Sequence, residues 1–252
     1  MSKGLLKEGF GAVFLGIGAG RPAVPKIPGI ELDGIQSSTE FLVRTYYDAK
    51  GMPNGWRPIT ELKSKRVVVL GGGDSAMDCL RTAARLDAAE VTCLYRRDEA
   101  NMPGSKKEVR AAKEEGVKTQ YLVAPTAFSS KNAKTVSQVQ CVRMELGPPD
   151  ASGRRSPVTV AGSEFTVEAD LVILAFGYEV EPLAEAPANL MSQKGTVKVN
   201  SSTGATALPG VFAGGDCATG PNLVCAAARS GVVAAQGALR HFAGETWESL
   251  VK

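Results

Sequence analysis

The chain has 252 residues, enough for one large domain or two modest ones, and its 44% hydrophobic and 22% charged residues are ordinary globular values. The formal net charge of +3 and the lack of a long Lys/Arg run predict no nucleic-acid partner. Five cysteines stand singly without a Cys-x-x-Cys pair, which gives no support for a redox dithiol, a zinc site or an iron–sulfur cluster within the chain. Without a signal peptide or a membrane-spanning apolar run, the sequence predicts a cytoplasmic protein that does not enter a membrane.

The first 50 residues predict a short helix, a strand, a connection and a second helix. Residues 1–9 are typical of a polar helical remnant, and residues 10–20 of an apolar strand that runs into small residues. A proline-rich connection follows, and then a helix over residues 36–50 that Ser37 or Ser38 caps. A strand this apolar needs neighbours on both sides, yet almost nothing precedes it. We therefore expect the chain to be a piece of a longer protein or to depend on a partner for that sheet.

A loop over residues 51–58 leads to the most informative stretch of the sequence. Residues 66–70, Arg-Val-Val-Val-Leu, predict a short strand buried on both faces, as in a parallel sheet. A glycine turn of the pattern G-x-G-x-x-A follows, with Gly71, Gly73 and Ala76 in the three small positions. These positions allow a sharp turn, close approach of a pyrophosphate and tight packing of the next helix, whose N-terminal N–H groups would bind the phosphates.

A second apolar strand, over residues 90–95, ends in Arg96 and Arg97. A site that prefers NAD usually has Asp or Glu at this point, where it bonds the ribose 2′-hydroxyl. Two arginines instead suit a 2′-phosphate, because guanidinium groups pair bidentately with phosphate oxygens. The sequence therefore predicts an NADP(H) site with a preference for NADPH. The alternatives, a solvated strand end and a turn that merely joins strand to helix, stay open at this point.

The middle of the chain predicts a charged helix and several strands. Loop residues 101–105 open the helix, which runs from Lys106 to Glu115 and stops at Gly116. Three antiparallel-looking strands are predicted at 119–123, 136–146 and 165–167, with a polar hairpin tip at 147–153 between the last two. A later edge strand is predicted at 195–200. A buried strand over residues 169–178 includes Gly177 near its end, and we place this glycine beside the NADP half of the site.

A second strong signal lies at residues 208–218, where a short apolar strand runs into Gly214, Gly215 and Asp216. Backbone N–H groups of the glycines could reach a phosphate, and the carboxylate could accept hydrogen bonds from a ribityl chain. A helix of small residues over 224–239 follows, with its N-terminus directed at a cofactor. The alternative is a plain β–turn–α unit. The single histidine, in the tail of that helix, is expected at the surface.

Several of these motifs, taken together and in order, resemble a known family. The resemblance to the small (β) subunit of NADPH-dependent glutamate synthases rests on residues 71–78, 94–97 and 101–105. Residues 210–216 are similar to the flavin motif of flavoproteins of the pyridine-nucleotide disulfide-oxidoreductase type. The resemblance covers essentially the whole chain. It implies an α/β fold in which a Rossmann-like NADP(H)-binding domain, residues 35–178, is inserted into a partial FAD-binding domain, residues 1–34 and 179–252, as in flavoproteins with two dinucleotide-binding domains.

In that family, hydride passes from NADPH to FAD and electrons pass through iron–sulfur clusters to a partner. The resemblance thus implies a partner that is the large glutamine-amidotransferase/synthase subunit or another electron acceptor. The implied nucleotide contacts are Gly71, Gly72, Gly73, Asp74, Ser75 and Ala76 at the pyrophosphate, Arg96 and Arg97 at the 2′-phosphate, and Gly177 at the nicotinamide. The implied FAD contacts are Gly215, Asp216, Asn222, Leu223 and Val224. No catalytic acid, base, nucleophile or metal ligand is implied, because hydride transfer mainly requires positioning of two rings.

Two parts of the family pattern are absent from the sequence. One is the cysteine-rich N-terminal region that carries the iron–sulfur clusters, and the other is the glycine fingerprint that binds the ADP part of FAD. We therefore expect a C-terminal portion of such a subunit, and FAD binding by this chain alone is left open. The alternatives are a truncated NADP(H)-binding module that is inactive alone and a related oxidoreductase with a different electron acceptor. The missing Cys-x-x-Cys pair argues against a thioredoxin-reductase type of enzyme.

Overall fold

The computed structural model describes residues 2–51, 62–149, 155–183 and 186–252. The chain divides into a discontinuous unit, residues 1–21 and 178–252, and an inserted unit, residues 22–177. The inserted unit begins before residue 35, the expected start, because the connecting segment is bonded to this unit. Phe128 N–H donates to the Pro28 carbonyl at 2.8 Å, and Asp33 N–H donates to the Lys134 carbonyl at 3.0 Å. Residues 52–58 of the predicted loop lie outside the described residues.

The structure contains seven α-helices, one 3-10 helix (Glu99–Asn101) and thirteen strands within the described residues. The helices are α1 (Ser2–Lys7), α2 (Ser38–Ala49), α3 (Asp74–Arg85), α4 (Lys106–Glu114), α5 (Asp216–Thr219), α6 (Val224–Phe242) and α7 (Trp247–Val251). The strands are β1 (Val13–Leu15), β2 (Arg21–Pro22), β3 (Ile35–Ser37), β4 (Arg66–Leu70), β5 (Glu90–Tyr95), β6 (Lys118–Tyr121), β7 (Val123–Ser129), β8 (Gln138–Pro149), β9 (Arg155–Thr159), β10 (Phe165–Glu168), β11 (Leu171–Leu174), β12 (Tyr178–Glu179) and β13 (Val211–Ala213). The predicted helix over 36–50 is α2, and Ser37 is its cap, accepting the Glu40 N–H at 3.1 Å.

The inserted unit is built on a five-stranded parallel sheet with strand order β3-β11-β4-β5-β6. The predicted central strand is β4, and its residues Val67 to Leu70 are at most 1% exposed because both faces of the sheet are covered. Helix α3 packs against this sheet through an apolar face. The outward side chain Arg81 pairs with Glu108 and Glu115, which links α3 to α4 and its C-cap.

The predicted antiparallel strand over residues 119–123 is wrong in its direction. Strand β6 pairs with β5 in parallel and ends at Tyr121. The next residue, Leu122, has φ +56° and donates its N–H to the Arg97 carbonyl at 3.0 Å, so the chain turns there. Strand β7 then joins an antiparallel sheet with β8, β9 and β10. The predicted strands over 136–146 and 165–167 correspond to β8 and β10. Residues 147–149 of the predicted hairpin tip still belong to β8, and residues 150–153 lie outside the described residues.

An ion pair fixes the N-terminal ends of β4 and β11. The guanidinium of Arg66 donates to Asp170 through Nε and Nη2, each at 2.9 Å, and the Arg66 backbone N–H donates to the same carboxylate at 2.9 Å. These hydrogen bonds lower the pKa of Asp170 from 3.8 to about 2, because they favour its ionised form. The pair therefore contributes to stability above the ordinary carboxyl pKa.

We expect Asp170→Asn to lower the free energy of unfolding by about 1–2 kcal/mol at neutral pH. The folded-state pKa lies below the unfolded value, so the contribution is fully present above about pH 4 and is lost as the pH falls through about 2. Urea denaturation between pH 7 and pH 2 measures this difference. Asp33→Asn is the control, because its contact with Lys134 is long and exposed; equal stability of the two variants at pH 7 would contradict the assignment.

The discontinuous unit contains the parallel pair β1–β13, against which α6 packs. The helix approaches closely at Gly237, where a Cβ atom would lie 1.9 Å from the Thr203 carbonyl oxygen. Phe14 on β1 is 53% exposed, so the described residues leave one face of this strand open. The predicted edge strand over 195–200 is wrong, since this segment forms only an isolated bridge from Val197 to Met191.

The environment of the single histidine also differs from the prediction. His241 is half-buried, and its ring centroid lies 5.5 Å from that of Trp247 and 6.2 Å from that of Phe212. It is therefore part of an aromatic cluster of the discontinuous unit. Among the helices of the described ranges, none combines the length and apolar character needed to cross a membrane.

Candidate nucleotide-binding sites

The glycine turn of the inserted unit joins β4 to α3 at the carboxyl edge of the parallel sheet. Gly71 has φ +144°, and a Cβ atom there would lie 2.2 Å from the Ala175 carbonyl oxygen, so only glycine fits where β4 and β11 end side by side. Gly73 precedes α3 as its N-cap, contributes no side-chain hydrogen bond, and faces open space. Ligands of open α/β sheets bind at this edge.

The first N–H groups of α3 are oriented to receive an acceptor from outside the helix. Ala76 and Met77 donate to the Gly73 carbonyl at 3.0 and 3.1 Å. The N–H groups of Asp74 and Ser75 precede them, and no hydrogen bond within the described residues uses these two groups. Such groups, together with the helix dipole, suit a phosphate. Ala76 itself is fully buried and acts through packing.

Arg96 and Arg97 lie one strand away, directly after β5, which pairs with β4. Arg96 is exposed and Arg97 half-buried. Within the described residues neither arginine forms an ion pair, whereas Arg66, Arg81 and Arg85 all do. The Nε atom of Arg97 is buried and has no hydrogen-bond partner among these residues. A buried donor of this kind is costly unless an acceptor is supplied, and the oxygens of a 2′-phosphate are suitable acceptors.

The loop over residues 101–105 borders the same turn. Gly104 N–H donates to the Gly72 carbonyl at 2.8 Å, and Ser105 N–H donates to Asp74 Oδ1 at 2.9 Å. The Tyr95 hydroxyl holds the other end of the loop through the Asn101 carbonyl at 2.7 Å. The pattern Ser-x-x-Glu over residues 105–108 was the available sequence signal, since it is a capping box that marks the start of α4.

Gly177 is the last of the predicted site residues in the inserted unit. It follows β11, has φ +96°, and accepts a hydrogen bond from Ala23 N–H at 2.9 Å. Because β11, β4 and β5 are neighbours in the sheet, their carboxyl ends bring the glycine turn, the two arginines and the Gly177 segment to one edge.

The second candidate site, in the discontinuous unit, is the turn between β13 and α5. Gly214 packs so closely on α6 that a Cβ atom would lie 2.8 Å from the Ser230 carbonyl oxygen. Gly215 has φ +74° and donates its N–H to the Ser230 hydroxyl, a partner that sequence reasoning missed. Because Gly214 N–H donates to the Leu15 carbonyl at 3.2 Å, neither glycine N–H is left for a phosphate, contrary to the prediction. Asp216 Oδ1 is buried without a hydrogen-bond partner among the described residues. An unsatisfied carboxylate oxygen at a glycine turn fits the hydroxyl groups of a ribityl chain.

The start of α6 carries the remaining predicted FAD contacts. Asn222 accepts the Leu223 N–H through its own Oδ1 at 2.7 Å. Leu223 and Val224 are 64% and 86% exposed, and the helix has no side-chain N-cap. An uncapped helix start with exposed apolar side chains is compatible with the edge of a flat, partly polar ring system.

The buried thiols are not suited to redox or nucleophilic chemistry. Cys79, Cys93, Cys141 and Cys217 are buried, and burial raises the pKa of Cys93 and Cys141 to about 12. Thiols of such high pKa do not form the reactive thiolate near neutral pH. Cys225, at the start of α6, is the exposed one.

Comparison with known proteins gives concordant matches. Residues 6–231 match the family described as pyridine nucleotide-disulphide oxidoreductase. The glutamate synthase (NADPH) small chain of Escherichia coli is 43% identical over 238 residues, 92% of this chain and 50% of that protein. The NADP(+)-dependent formate dehydrogenase subunit beta of Moorella thermoacetica is 45% identical over 170 residues, 68% of this chain and 24% of that protein. The structure of Mycobacterium tuberculosis FprA in complex with NADPH has a TM-score of 0.76 at 17% identity, covering 99% of this chain and 67% of that chain.

These matches confirm the predicted resemblance and the predicted α/β fold class of flavoproteins with two dinucleotide-binding domains. They also confirm NADPH and FAD as the cofactors of the class to which the chain is similar. The chain spans about half the length of the glutamate synthase small chain that it matches.

Proposed function

The chain belongs to the pyridine nucleotide-disulphide oxidoreductase family, and on that premise we propose that it is the NADPH-oxidising module of a flavoenzyme. The inserted unit binds NADPH and the discontinuous unit binds FAD. The observation that carries the proposal is the pair Arg96 and Arg97, two cations without carboxylate partners among the described residues, one with an unsatisfied buried N–H, beside a glycine turn at the sheet edge.

Each group of residues has a role in this function. When bound, NADPH supplies a hydride and FAD accepts it. The α3 N–H groups and the glycines Gly71 to Gly73 hold the pyrophosphate, and the two arginines hold the 2′-phosphate. Gly177 leaves room for the nicotinamide. Asp216 and Gly215 hold FAD, with Asn222 to Val224 near its ring. No side chain has to exchange a proton for these roles, because the residues act by positioning.

For the larger reaction, we propose the small subunit of an NADPH-dependent glutamate synthase, supported by the 43% identity to the Escherichia coli small chain. Electrons then pass to a large synthase subunit. The similarity to a formate dehydrogenase subunit supports an alternative in which another acceptor receives the electrons. Five cysteines without a disulfide among the described residues suit a reducing compartment, so we propose a cytoplasmic location.

The second candidate function is an NADP(H)-binding module that does not turn over alone. The observation in its favour is that the chain spans about half the length of the relatives it matches. The two candidates share the NADPH site and differ in whether this chain alone retains FAD.

The proposal is tested on the purified chain with added FAD, by visible spectra before and after anaerobic NADPH. We expect bound flavin that bleaches with NADPH and far less with NADH. Binding of NADPH, seen by nucleotide fluorescence, without retained flavin would support the second candidate. A chain that binds neither NADPH nor FAD would overturn both.

A further inference from the structure

We propose that Asp74 is a positioning residue whose carboxylate holds the 101–105 loop against the glycine turn and does not itself contact the pyrophosphate. The start of α4 thereby becomes a wall of the nucleotide site. This inference rests on the proposed NADPH site and deepens it. It assigns the loop a role in the nucleotide site.

The contact is specific in its geometry. Asp74 is the first residue of α3, and its Oδ1 accepts the N–H of Ser105 at 2.9 Å. Ser105 is the N-cap of α4, because its hydroxyl accepts the Glu108 N–H at 3.3 Å. One carboxylate therefore joins the starts of two helices that lie 31 residues apart in sequence.

A second contact shows that the loop lies directly on the turn. Gly104 N–H donates to the Gly72 carbonyl at 2.8 Å, and Gly104 is buried. A Cβ atom on Gly104 would lie 3.0 Å from the Gly72 oxygen and 3.2 Å from Met77 Cγ. A Cβ atom on Gly72 would lie 2.7 Å from the Tyr95 ring. The two glycines thus allow the backbones of the turn and the loop to contact each other directly. The hydrogen bond between the Asp74 carboxylate and Ser105 N–H stabilises this contact at its end.

Electrostatics favours positioning over direct contact. A carboxylate turned toward a pyrophosphate would repel it, because like charges destabilise each other at short distance. The hydrogen bond from Ser105 instead engages the Asp74 charge at the positive end of α4. The backbone N–H of Asp74 is left for the phosphate, and Lys106 and Lys107 begin the adjoining helix as exposed cations.

Four single variants and one control variant test the inference. Asp74→Ala removes the acceptor, and Ser105→Pro removes the donor N–H while keeping the backbone angle, since Ser105 has φ −59° and proline about −65°. Asp74→Asn keeps an acceptor oxygen. Ser105→Ala keeps the N–H and loses only the hydroxyl cap. Glu114→Ala, at the far and exposed end of α4, is the neutral control.

We expect Asp74→Ala and Ser105→Pro each to weaken NADPH and NADH equally, by about tenfold, because the pyrophosphate is common to both nucleotides. The double variant should be no weaker than either single one, because both remove the same contact. Asp74→Asn should restore most of the affinity. Dissociation constants from nucleotide fluorescence give these values. In the protein without nucleotide, hydrogen exchange over residues 104–108 should be faster in Asp74→Ala than in Glu114→Ala.

The outcomes separate this inference from the proposed function. An Asp74→Asn variant as weak as Asp74→Ala would show that an acceptor oxygen for Ser105 is not what the site requires from this residue, and would overturn the positioning role. In the protein without nucleotide, unchanged hydrogen exchange over residues 104–108 in Asp74→Ala would also overturn the positioning role. Tight binding by both the unmodified chain and Asp74→Ala would overturn only this inference. An unmodified chain that binds neither nucleotide would overturn the proposed function and, with it, this role of Asp74.

Discussion

Replacing Arg96 and Arg97 together with alanine should weaken NADPH binding at least about 100-fold and change NADH binding less than about threefold. Each guanidinium can make charge-assisted hydrogen bonds to phosphate worth about 1.5–3 kcal/mol, and NADH lacks the 2′-phosphate. We assign the 2′-phosphate contact to these arginines because neither has a carboxylate partner among the described residues. Titration of nucleotide fluorescence with both reduced nucleotides measures the two affinities.

The chain offers a matched control for this experiment. Arg229 on α6 is also exposed and forms no ion pair within the described ranges, but it belongs to the discontinuous unit. Arg229→Ala should leave the NADPH-to-NADH affinity ratio as in the unmodified chain. Each single replacement should cause part of the loss of NADPH affinity. We expect the larger part from Arg97, because its Nε is already desolvated. Equal losses for NADPH and NADH in the double variant would refute the 2′-phosphate assignment.

Asp216→Ala should lower FAD affinity about tenfold or more and leave NADPH affinity within a factor of about two. The Oδ1 atom of Asp216 is buried without a partner among the described residues, so a bound ribityl hydroxyl would satisfy it. The same observation predicts an unusual effect on stability. Without FAD, removing an unsatisfied buried acceptor should leave the free energy of unfolding unchanged or raise it by up to about 1 kcal/mol.

Two measurements distinguish a role of Asp216 in FAD binding from a structural role. FAD affinity is followed by quenching of flavin fluorescence, and stability without ligand by urea denaturation. Glu248→Ala is the control, because Glu248 is an exposed carboxylate on α7 of the same unit. If Asp216→Ala unfolds more easily than the control, the residue stabilises the turn and is not reserved for a ligand. A loss of NADPH affinity with FAD affinity intact would mean that the two nucleotide sites are exchanged.

The two experiments are independent, because the residues lie in different compact units. The Arg96 and Arg97 test decides nucleotide preference without any flavin. The Asp216 test decides whether the discontinuous unit holds FAD. Together they separate an NADPH-dependent flavoenzyme module from a module that only binds nucleotide.

The sequence by itself determined the local units of this protein. Four apolar residues, a glycine turn and a helical repeat define β4 to α3, because side-chain periodicity and the φ requirement of Gly71 are local properties. The two arginines after β5 are the signal from which the preference for NADPH is predicted, and this preference stays a prediction. The order of the motifs was sufficient to predict the fold class.

Only the tertiary structure decided how these units meet. The direction of β6 depends on its pairing with β5 and on the left-handed Leu122, neither of which appears in an apolar pattern. The segment over 195–200 alternates as a strand would, but it lacks a neighbour to extend the single bridge at Val197. The hydrogen bond from Ser105 to Asp74 joins residues 31 positions apart. Such contacts depend on how separate elements pack, so a local sequence pattern contains no record of them.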